Sequence, residues 1–197
     1  MLHILGVAHR AQSRKPDSQP TEAQHLFASA LNAVIADSSP AYIAEEDNEQ
    51  FLQERAEISI SKQIADERQI KHRFCDPNTK ERCAIGYRNF MSIALDLWME
   101  TPELSNDELT CKARAIEIAH YFPLREQFWL NKLQGCRETE VVFTCGDIHI
   151  ESFSGLLKTE HVSYRIVQRG IGVNEKDEPY YRAVAYLEQH PELSLKK

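Results

Sequence analysis

The chain has 197 residues, 42% of them hydrophobic and 27% charged, and its 7 glycines and 8 prolines are too few for a collagen-like, low-complexity or disordered protein. This length favours a single domain over residues 1–197. The formal net charge is −7, and no basic cluster is long enough to follow a phosphate backbone, so nucleic acid is not an expected partner.

The cysteines and the apolar segments indicate where the protein is expected to reside. The 5 cysteines lack the paired spacing of a disulfide framework or a zinc ribbon, which favours a reducing compartment. The first apolar run, Leu2 to Ala8, is too short for the core of a signal peptide, and nowhere do about 18 apolar residues follow one another. We therefore expect a cytoplasmic protein that does not span a membrane.

Strand and helix patterns alternate along the first half of the chain. Leu2 to Ala8 has the continuous apolarity of a strand covered on both faces. The polar segment from Arg10 to Pro20 is longer than a usual connection, and we expect a mobile flap there. Thr21 and Gln24 form a capping-box pattern that opens an amphipathic helix. The next predicted elements are a strand at Ala41–Ala44, a helix through Arg55 opened by an Asp47–Gln50 capping box, a helix at Ser61–Gln69 and a strand at Ile70–Cys75.

The second half of the chain continues this alternation. Apolar residues from Tyr87 to Trp98 have helical spacing, and we expect these large side chains in the core. The later predicted elements are helices at about 107–121 and Pro123–Gly135, a strand at Glu140–Cys145, a short helix at Phe153–Lys158, a strand at Val162–Val167 and a last helix at about 179–189. Strands separated by helices are joined by crossovers, so the sequence predicts an α/β fold with a mostly parallel central sheet flanked by helices.

The motif Gly-x-x-His occurs twice at the ends of predicted strands, as Gly6–His9 and Gly146–His149. Glu45 and Asp76 follow two other predicted strands. In an open α/β sheet the ligand site lies beyond the carboxyl ends of the strands. The sequence therefore places two imidazoles and two carboxylates at one edge of the sheet.

Two histidines with one or two carboxylates are a usual ligand set for a divalent transition metal, which points to metal-assisted hydrolysis. Glu45 and Glu46 are adjacent and point to opposite faces of an extended chain, so one of them faces the site, and we favour Glu45. The competing interpretation is that each histidine is a loop residue with ordinary hydrogen bonds.

The order of the motifs resembles the TraB/TIKI superfamily, which includes erythromycin-esterase-like and ChaN-like proteins. The resemblance covers about residues 2–168. It rests on Gly6–His9, on Glu45 or Glu46 followed by Arg55, on Asp76–Pro77 with Arg82, on Arg125–Glu126 before Trp129, and on Gly146–His149. This family implies a metal-dependent hydrolase in which the two histidines and a carboxylate serve the site. The chain is shorter than the membrane-attached or secreted members, so their substrates are not carried over.

The first hypothesis is a metal-dependent hydrolase of a small-molecule or peptide substrate. His9, Glu45 and His149 hold a divalent ion such as Mn²⁺, Co²⁺ or Zn²⁺, and Asp76 assists as a ligand or as a neighbour of the ligands. The arginines Arg55, Arg82 and Arg125 are candidates for binding substrate charge, and Arg125 is also a candidate for catalysis.

Two further hypotheses assign no catalysis. In one, the same edge binds a small molecule or haem as a sensor; in the other, the protein regulates a partner through its helices. Two weaker patterns are His72-x-x-Cys75 with Cys83 as a soft-metal site, and Cys145 at a strand end as a reactive thiol.

Overall fold

The computed structural model describes residues 1–133, 135–174 and 177–194. The chain divides into two compact units. One, the sheet unit, comprises residues 1–78 and the described part of 127–173, and the other, the helical unit, comprises residues 79–126 and the described residues from Asn174 onwards. The expectation of a single domain stays a prediction.

The sheet unit is built on a parallel sheet. The strands are β1 (Leu2–Val7), β2 (Ser13–Arg14), β3 (Tyr42–Glu45), β4 (Ile58–Ser59), β5 (Lys71–Phe74), β6 (Val141–Gly146) and β7 (Tyr164–Ile171). Five of them form the main sheet in the order β5-β3-β6-β1-β7, with every neighbouring pair parallel, and β2 pairs antiparallel with β4. The predicted α/β fold with a mostly parallel central sheet is confirmed.

Helices connect these strands and make up the helical unit. They are α1 (His9–Gln12), α2 (Glu22–Ser38), α3 (Glu49–Arg55), α4 (Ile60–Arg68), α5 (Thr79–Ala84), α6 (Phe90–Glu100), α7 (Asn106–Ile116), a π-helical segment (Glu117–Tyr121), α8 (Phe122–Lys132), a 3₁₀ turn (Asp147–His149), α9 (Ile150–Thr159), α10 (Glu178–Gln189) and a second 3₁₀ turn (Pro191–Ser194). Within the described ranges, none of these helices has the length and apolarity needed to span a membrane, and none of the cysteines forms a disulfide.

The two faces of the sheet carry separate apolar clusters because successive strand side chains point in opposite directions. On β3, Tyr42 and Ala44 belong to one cluster, which also contains Trp129 and Phe153, whereas Ile43 belongs to the other. We call these clusters the α9 face and the α2 face, after the helices that cover them. This alternation decides where the side chains that follow each strand point.

Local capping sets two helix starts near the sheet edge. Thr21 and Gln24 form the predicted capping box of α2, which is confirmed. For α3 the cap lies one residue later than predicted, because Asn48 Oδ1 accepts from the Phe51 backbone N–H at 3.0 Å. Asp47 Oδ1 instead accepts from the Asn48 N–H at 2.8 Å.

The segment from Arg10 to Pro20 is not a mobile flap over its whole length. Residues 11–13 are buried, and β2 pairs with β4. Arg10 Nη2 donates to the Gly172 carbonyl at 2.5 Å, and Gln24 Nε2 donates to the Ser13 carbonyl at 2.6 Å. The prediction is therefore wrong for the first half of the segment, since these hydrogen bonds fix it, and only residues 15–19 form an exposed turn.

Helix α6 buries the side opposite to the one that its tryptophan occupies. Ile93 and Leu97 are buried against Ala113 of α7, whereas Trp98 is 55% exposed. The prediction that Trp98 belongs to the core is wrong. Apolar residues occur all around this helix, so periodicity alone does not select the buried side.

Candidate functional site

Three neighbouring strands of the sheet end at the candidate site. β3, β6 and β1 are adjacent, and the residues that follow their carboxyl ends include Glu46, the 3₁₀ turn Asp147–His149 and His9. His9 opens α1 directly after Ala8, whose backbone N–H donates to the Ile171 carbonyl at 2.8 Å. Parallel packing thus brings the start of the chain and its late segment to one edge, as the sequence predicted.

Glu46 is the carboxylate at the centre of the site. Its backbone N–H donates to the Thr144 carbonyl at 2.8 Å, which continues the strand ladder, and its side chain is fully buried. Glu46 Oε2 accepts from the Gly146 N–H at 2.6 Å. Glu46 Oε1 lies 3.4 Å from His149 Nε2 and 3.7 Å from His9 Nε2. The two Gly-x-x-His histidines therefore meet on one carboxylate oxygen.

The glycines of both motifs are needed for close packing at this edge. A Cβ on Gly146 would lie 2.9 Å from His9 Nε2 and 3.2 Å from Glu46 Oε2. A Cβ on Gly6 would overlap with Asp147 Oδ1. Real Cβ atoms essentially never come within 3.0 Å of such an atom, and a contact of 3.2 Å is already tighter than usual, so glycine lets the strand backbones approach the polar side chains. This gives the repeated glycine a physical reason that does not depend on catalysis.

Trp129 fixes the buried imidazole from the α9 face. Its ring lies edge-on to the His149 ring with centroids 4.8 Å apart, and both residues are almost fully buried. The indole Nε1–H donates to Asp76 Oδ1 at 3.0 Å. Asp76 thus orients the tryptophan that packs on His149, and its role as a ligand or as a neighbour of the ligands stays a prediction. In the sequence, Trp129 stands out only as the residue that follows the Arg125–Glu126 pair.

Glu45 points away from the two histidines, so our preference for Glu45 over Glu46 is corrected. It shares the α2 face with Ile43, where Ser59 Oγ donates to its Oε1 at 2.5 Å. His72 Nε2 lies 2.8 Å from the same oxygen. Strand alternation had shown that only one of the two glutamates faces the site; which one depends on the sheet face that the histidines occupy.

Asp147, inside the second motif, forms contacts with the edge strand β7. Its Oδ1 accepts from the Gly170 N–H of β7 at 2.7 Å and lies 3.5 Å from Arg169 Nε. The carboxylate is therefore held by neighbours on β7. We assign it a structural role in holding the turn that presents His149.

Arg55, a predicted substrate-binding residue, is engaged by acidic side chains of the sheet unit. Its Nη2 donates to Asp47 Oδ2 at 2.8 Å and its Nε to Glu57 Oε2 at 3.0 Å. Burial raises the pKa of Asp47 to about 6, against the opposing effect of the Arg55 guanidinium. These contacts show that Arg55 forms ion pairs with Asp47 and Glu57.

Arg82 and Arg125, the other two predicted substrate-binding residues, meet within the helical unit. Their guanidinium carbons lie 5.1 and 5.4 Å from the centroid of the Tyr87 ring. The Tyr87 hydroxyl donates to Glu117 Oε1 at 2.6 Å. The structure thus gathers the two arginines around one aromatic ring, as cation–π partners.

Neither of the weaker cysteine patterns has the surroundings of a reactive site. Burial raises the pKa of the Cys75 thiol to about 12, and the neighbouring His72 faces Glu45. Cys83 belongs to the helical unit. Cys145 is fully buried in the apolar cluster of the α9 face. Low thiolate content and burial are typical of structural cysteines.

The donor set of His9, Glu46 and His149 suits a divalent transition metal. Ligands about 2.0–2.1 Å from a tetrahedral ion stand about 3.3 Å apart. The separations of 3.4 and 3.7 Å are close to this value. In the part of the chain that the structure describes, no three His, Cys, Asp or Glu side chains are already arranged to hold a metal ion. Binding of an ion by these three residues therefore requires their side chains to move from these positions; the His9 side chain is 54% exposed, whereas those of Glu46 and His149 are buried.

Comparison with known proteins provides no separate assignment. No family model, curated protein or solved structure matches the chain. The TraB/TIKI resemblance therefore rests on the motifs alone and stays a prediction. The function has to be argued from the chemistry of the site.

Proposed function

We propose that the protein is a metal-dependent hydrolase of the TraB/TIKI type whose reacting centre is formed by His9, Glu46 and His149. One observation carries the proposal: the histidines of both Gly-x-x-His motifs lie within 3.7 Å of a single buried carboxylate oxygen. This cluster stands at the carboxyl edge of a parallel sheet, where ligand sites of such folds occur.

The three residues supply different parts of the proposed site. The Gly146 N–H fixes the orientation of the Glu46 carboxylate, and Trp129 fixes the plane of the His149 ring. His9 is half exposed, so a substrate arriving from solvent meets this imidazole first. His9, Glu46 and His149 would hold a divalent ion, which would supply a Lewis acid of the kind that activates water and polarises a carbonyl or phosphoryl group. The proposed substrate class is a small molecule or a peptide.

Metal content and turnover, measured together, test this proposal. Protein purified without a chelator is analysed for Mn, Co and Zn and assayed on ester, peptide and phosphoester substrates. His149→Ala removes a ligand, so we expect bound metal and hydrolysis to fall together by at least about 100-fold. His25→Ala, at an exposed position of α2, is the matched control and retains both.

Three outcomes separate this proposal from its alternatives. Folded wild-type protein that holds no stoichiometric metal and hydrolyses none of the substrates contradicts it. Stoichiometric metal without turnover, lost in His149→Ala, would instead favour a metal-binding sensor at the same edge. Equal metal content in His149→Ala and wild type would show that the ion is held elsewhere.

A further inference from the structure

Glu45, the buried carboxylate on the α2 face, has one oxygen that the protein leaves unused. The residue has no solvent exposure, and its Oε1 accepts from Ser59 Oγ at 2.5 Å. Its Oε2 is also buried and accepts no hydrogen bond from any residue that the structure describes. Because buried polar atoms normally have partners, an unpaired carboxylate oxygen at full burial indicates a bound ligand.

Hydroxyl groups lie around this carboxylate on the neighbouring elements. Thr144 is the residue of β6 in register with Glu45, and paired residues of neighbouring parallel strands lie side by side on one sheet face. Thr144 Oγ1 lies 3.4 Å from Ser61 Oγ at the start of α4, and both residues are fully buried. With Ser59, the end of β3 is therefore accompanied by three buried hydroxyl groups.

A second buried side chain in this region also has unused hydrogen-bonding groups. Gln12 is 2% exposed, and within the described ranges neither its amide oxygen nor its amide nitrogen has a partner. It directly precedes Ser13, whose backbone pairs with that of Ser59. The surroundings of Ser59 thus include two buried side chains whose polar atoms are left unsatisfied by the described residues.

The charge of Glu45 lacks a firm counter-charge. Among the described residues, its ion-pair partner is His72, and no Lys or Arg takes this part. His72 Nε2 lies 2.8 Å from Oε1 but is itself a buried atom without a hydrogen bond. Ser59 caps α4 with the hydroxyl that also donates to Glu45, so the helix dipole offsets part of the charge. A bound cation would remove the remaining cost of burying the carboxylate.

The donor atoms favour a hard cation with a single charge. They are one carboxylate oxygen and neutral hydroxyl oxygens, which are hard ligands. Ca²⁺ takes many oxygen ligands, usually with several carboxylates, and Zn²⁺ prefers His and Cys, so a site with one carboxylate suits neither ion. A water molecule would satisfy Oε2 but would leave the charge in place. A monovalent ion both satisfies the oxygen and cancels the charge.

We propose that Glu45 binds a monovalent cation, Na⁺ or K⁺, on the α2 face, with Ser61 and Thr144 as hydroxyl ligands. The site is separate from the reacting centre, because Glu45 extends to Ser59 whereas Glu46 extends to the motif histidines. The ion stabilises the folded state, since the unfolded chain does not hold these oxygens together.

Urea unfolding in different salts tests for this ion. The wild type is measured from about 10 to about 300 mM NaCl or KCl, with choline chloride keeping the ionic strength constant. Above the dissociation constant, each tenfold increase in the bound ion should raise the folding equilibrium constant about tenfold. Choline is too large for a buried site and should have no such effect. Glu45→Gln should abolish the difference between the salts, because it removes the charge that binds the ion.

Two further variants complete the test. Asp66→Asn changes an exposed carboxylate of α4 and is the matched control, so it should retain the difference between the salts. Thr144→Val keeps the shape of a buried side chain but removes a hydroxyl ligand. It should raise the cation concentration needed for the effect by at least about tenfold, and it replaces Glu45→Gln if that variant fails to fold.

The results decide the proposal independently of hydrolysis. Equal stability of the wild type in all three salts overturns it and leaves His72 or a water molecule as the partner of Glu45. A difference that persists in Glu45→Gln, or that disappears in Asp66→Asn, places the ion elsewhere and also overturns it. Divalent metal content and turnover do not enter this measurement, so failure of the proposed hydrolase leaves its result unchanged.

Discussion

Two adjacent glutamates at the end of β3 have different surroundings. Glu46 extends to the α9 face and meets both motif histidines, whereas Glu45 extends to the α2 face and meets Ser59. Both side chains are fully buried. Successive side chains of an extended segment point to opposite faces of the sheet. Substituting each glutamate in turn therefore compares a buried carboxylate beside the histidines with one away from them.

Glutamine substitutions separate these two carboxylates. Glu46→Gln keeps an oxygen that accepts from the Gly146 N–H but removes the negative charge between the histidines. We expect bound metal and hydrolytic activity to fall by at least about 100-fold with the fold retained. Glu45→Gln, the matched control, should retain both. A Glu45→Gln protein that loses metal while Glu46→Gln keeps it would reverse our assignment of the site.

At the scale of elements, close approach between the strand ends and the following turn forms the site. β1 pairs with β6 in register, so that Gly6 lies opposite Cys145 and Val7 opposite Gly146. The 3₁₀ turn that follows β6 then folds back toward β1, with Asp147 against Gly6. A side chain at Gly6 or Gly146 would crowd the polar groups that pack against these strand ends.

Alanine substitutions at two glycines measure this constraint. In Gly6→Ala the new methyl group overlaps with Asp147, so we expect a loss of about 1–3 kcal/mol in the free energy of unfolding. Gly155 lies in α9 with no atom within 4 Å of an added Cβ, so Gly155→Ala should stabilise the protein by about 0.5–1 kcal/mol. Urea unfolding gives both values. Equal effects of the two substitutions would contradict the packing argument.

At the scale of the whole molecule, the burial of Tyr42 in the sheet lowers the stability of the protein at alkaline pH. Tyr42 lies in β3, between β5 and β6. Burial raises the pKa of Tyr42 to about 12, although Arg73 lies over its ring and opposes the shift. The unfolded chain ionises this tyrosine near pH 10, so the folded state binds more protons between about pH 10 and 12, and stability falls as pH rises through this window.

Tyr42→Phe should remove the part of the alkaline loss of stability that comes from Tyr42 ionisation. Between pH 8 and pH 11 the wild type should therefore lose about 1.4 kcal/mol more stability than the variant, because one pH unit above the unfolded pKa of about 10 costs about this much. Urea unfolding at pH 8, 9, 10 and 11 measures the difference between the two proteins. A difference that does not vary with pH would show that Tyr42 ionises equally in both states.

The sequence by itself determined the α/β class, most element positions and the two Gly-x-x-His motifs at strand ends. Apolar runs, capping residues and turn residues act locally, so Thr21 of α2 and the apolar run of β1 were readable from the chain. Alternation also established that only one of Glu45 and Glu46 faces the histidines. These are short-range constraints on backbone conformation and side-chain direction.

Only the tertiary structure decided which side each element buries and which strands are neighbours. Placing β1 beside β6 brings His9 to His149, and the sheet face they share selects Glu46. Tertiary packing likewise buries the side of α6 that carries Ile93 and leaves Trp98 exposed. These outcomes depend on contacts between residues far apart in the chain, because many strand orders satisfy the same local pattern and packing energy selects among them.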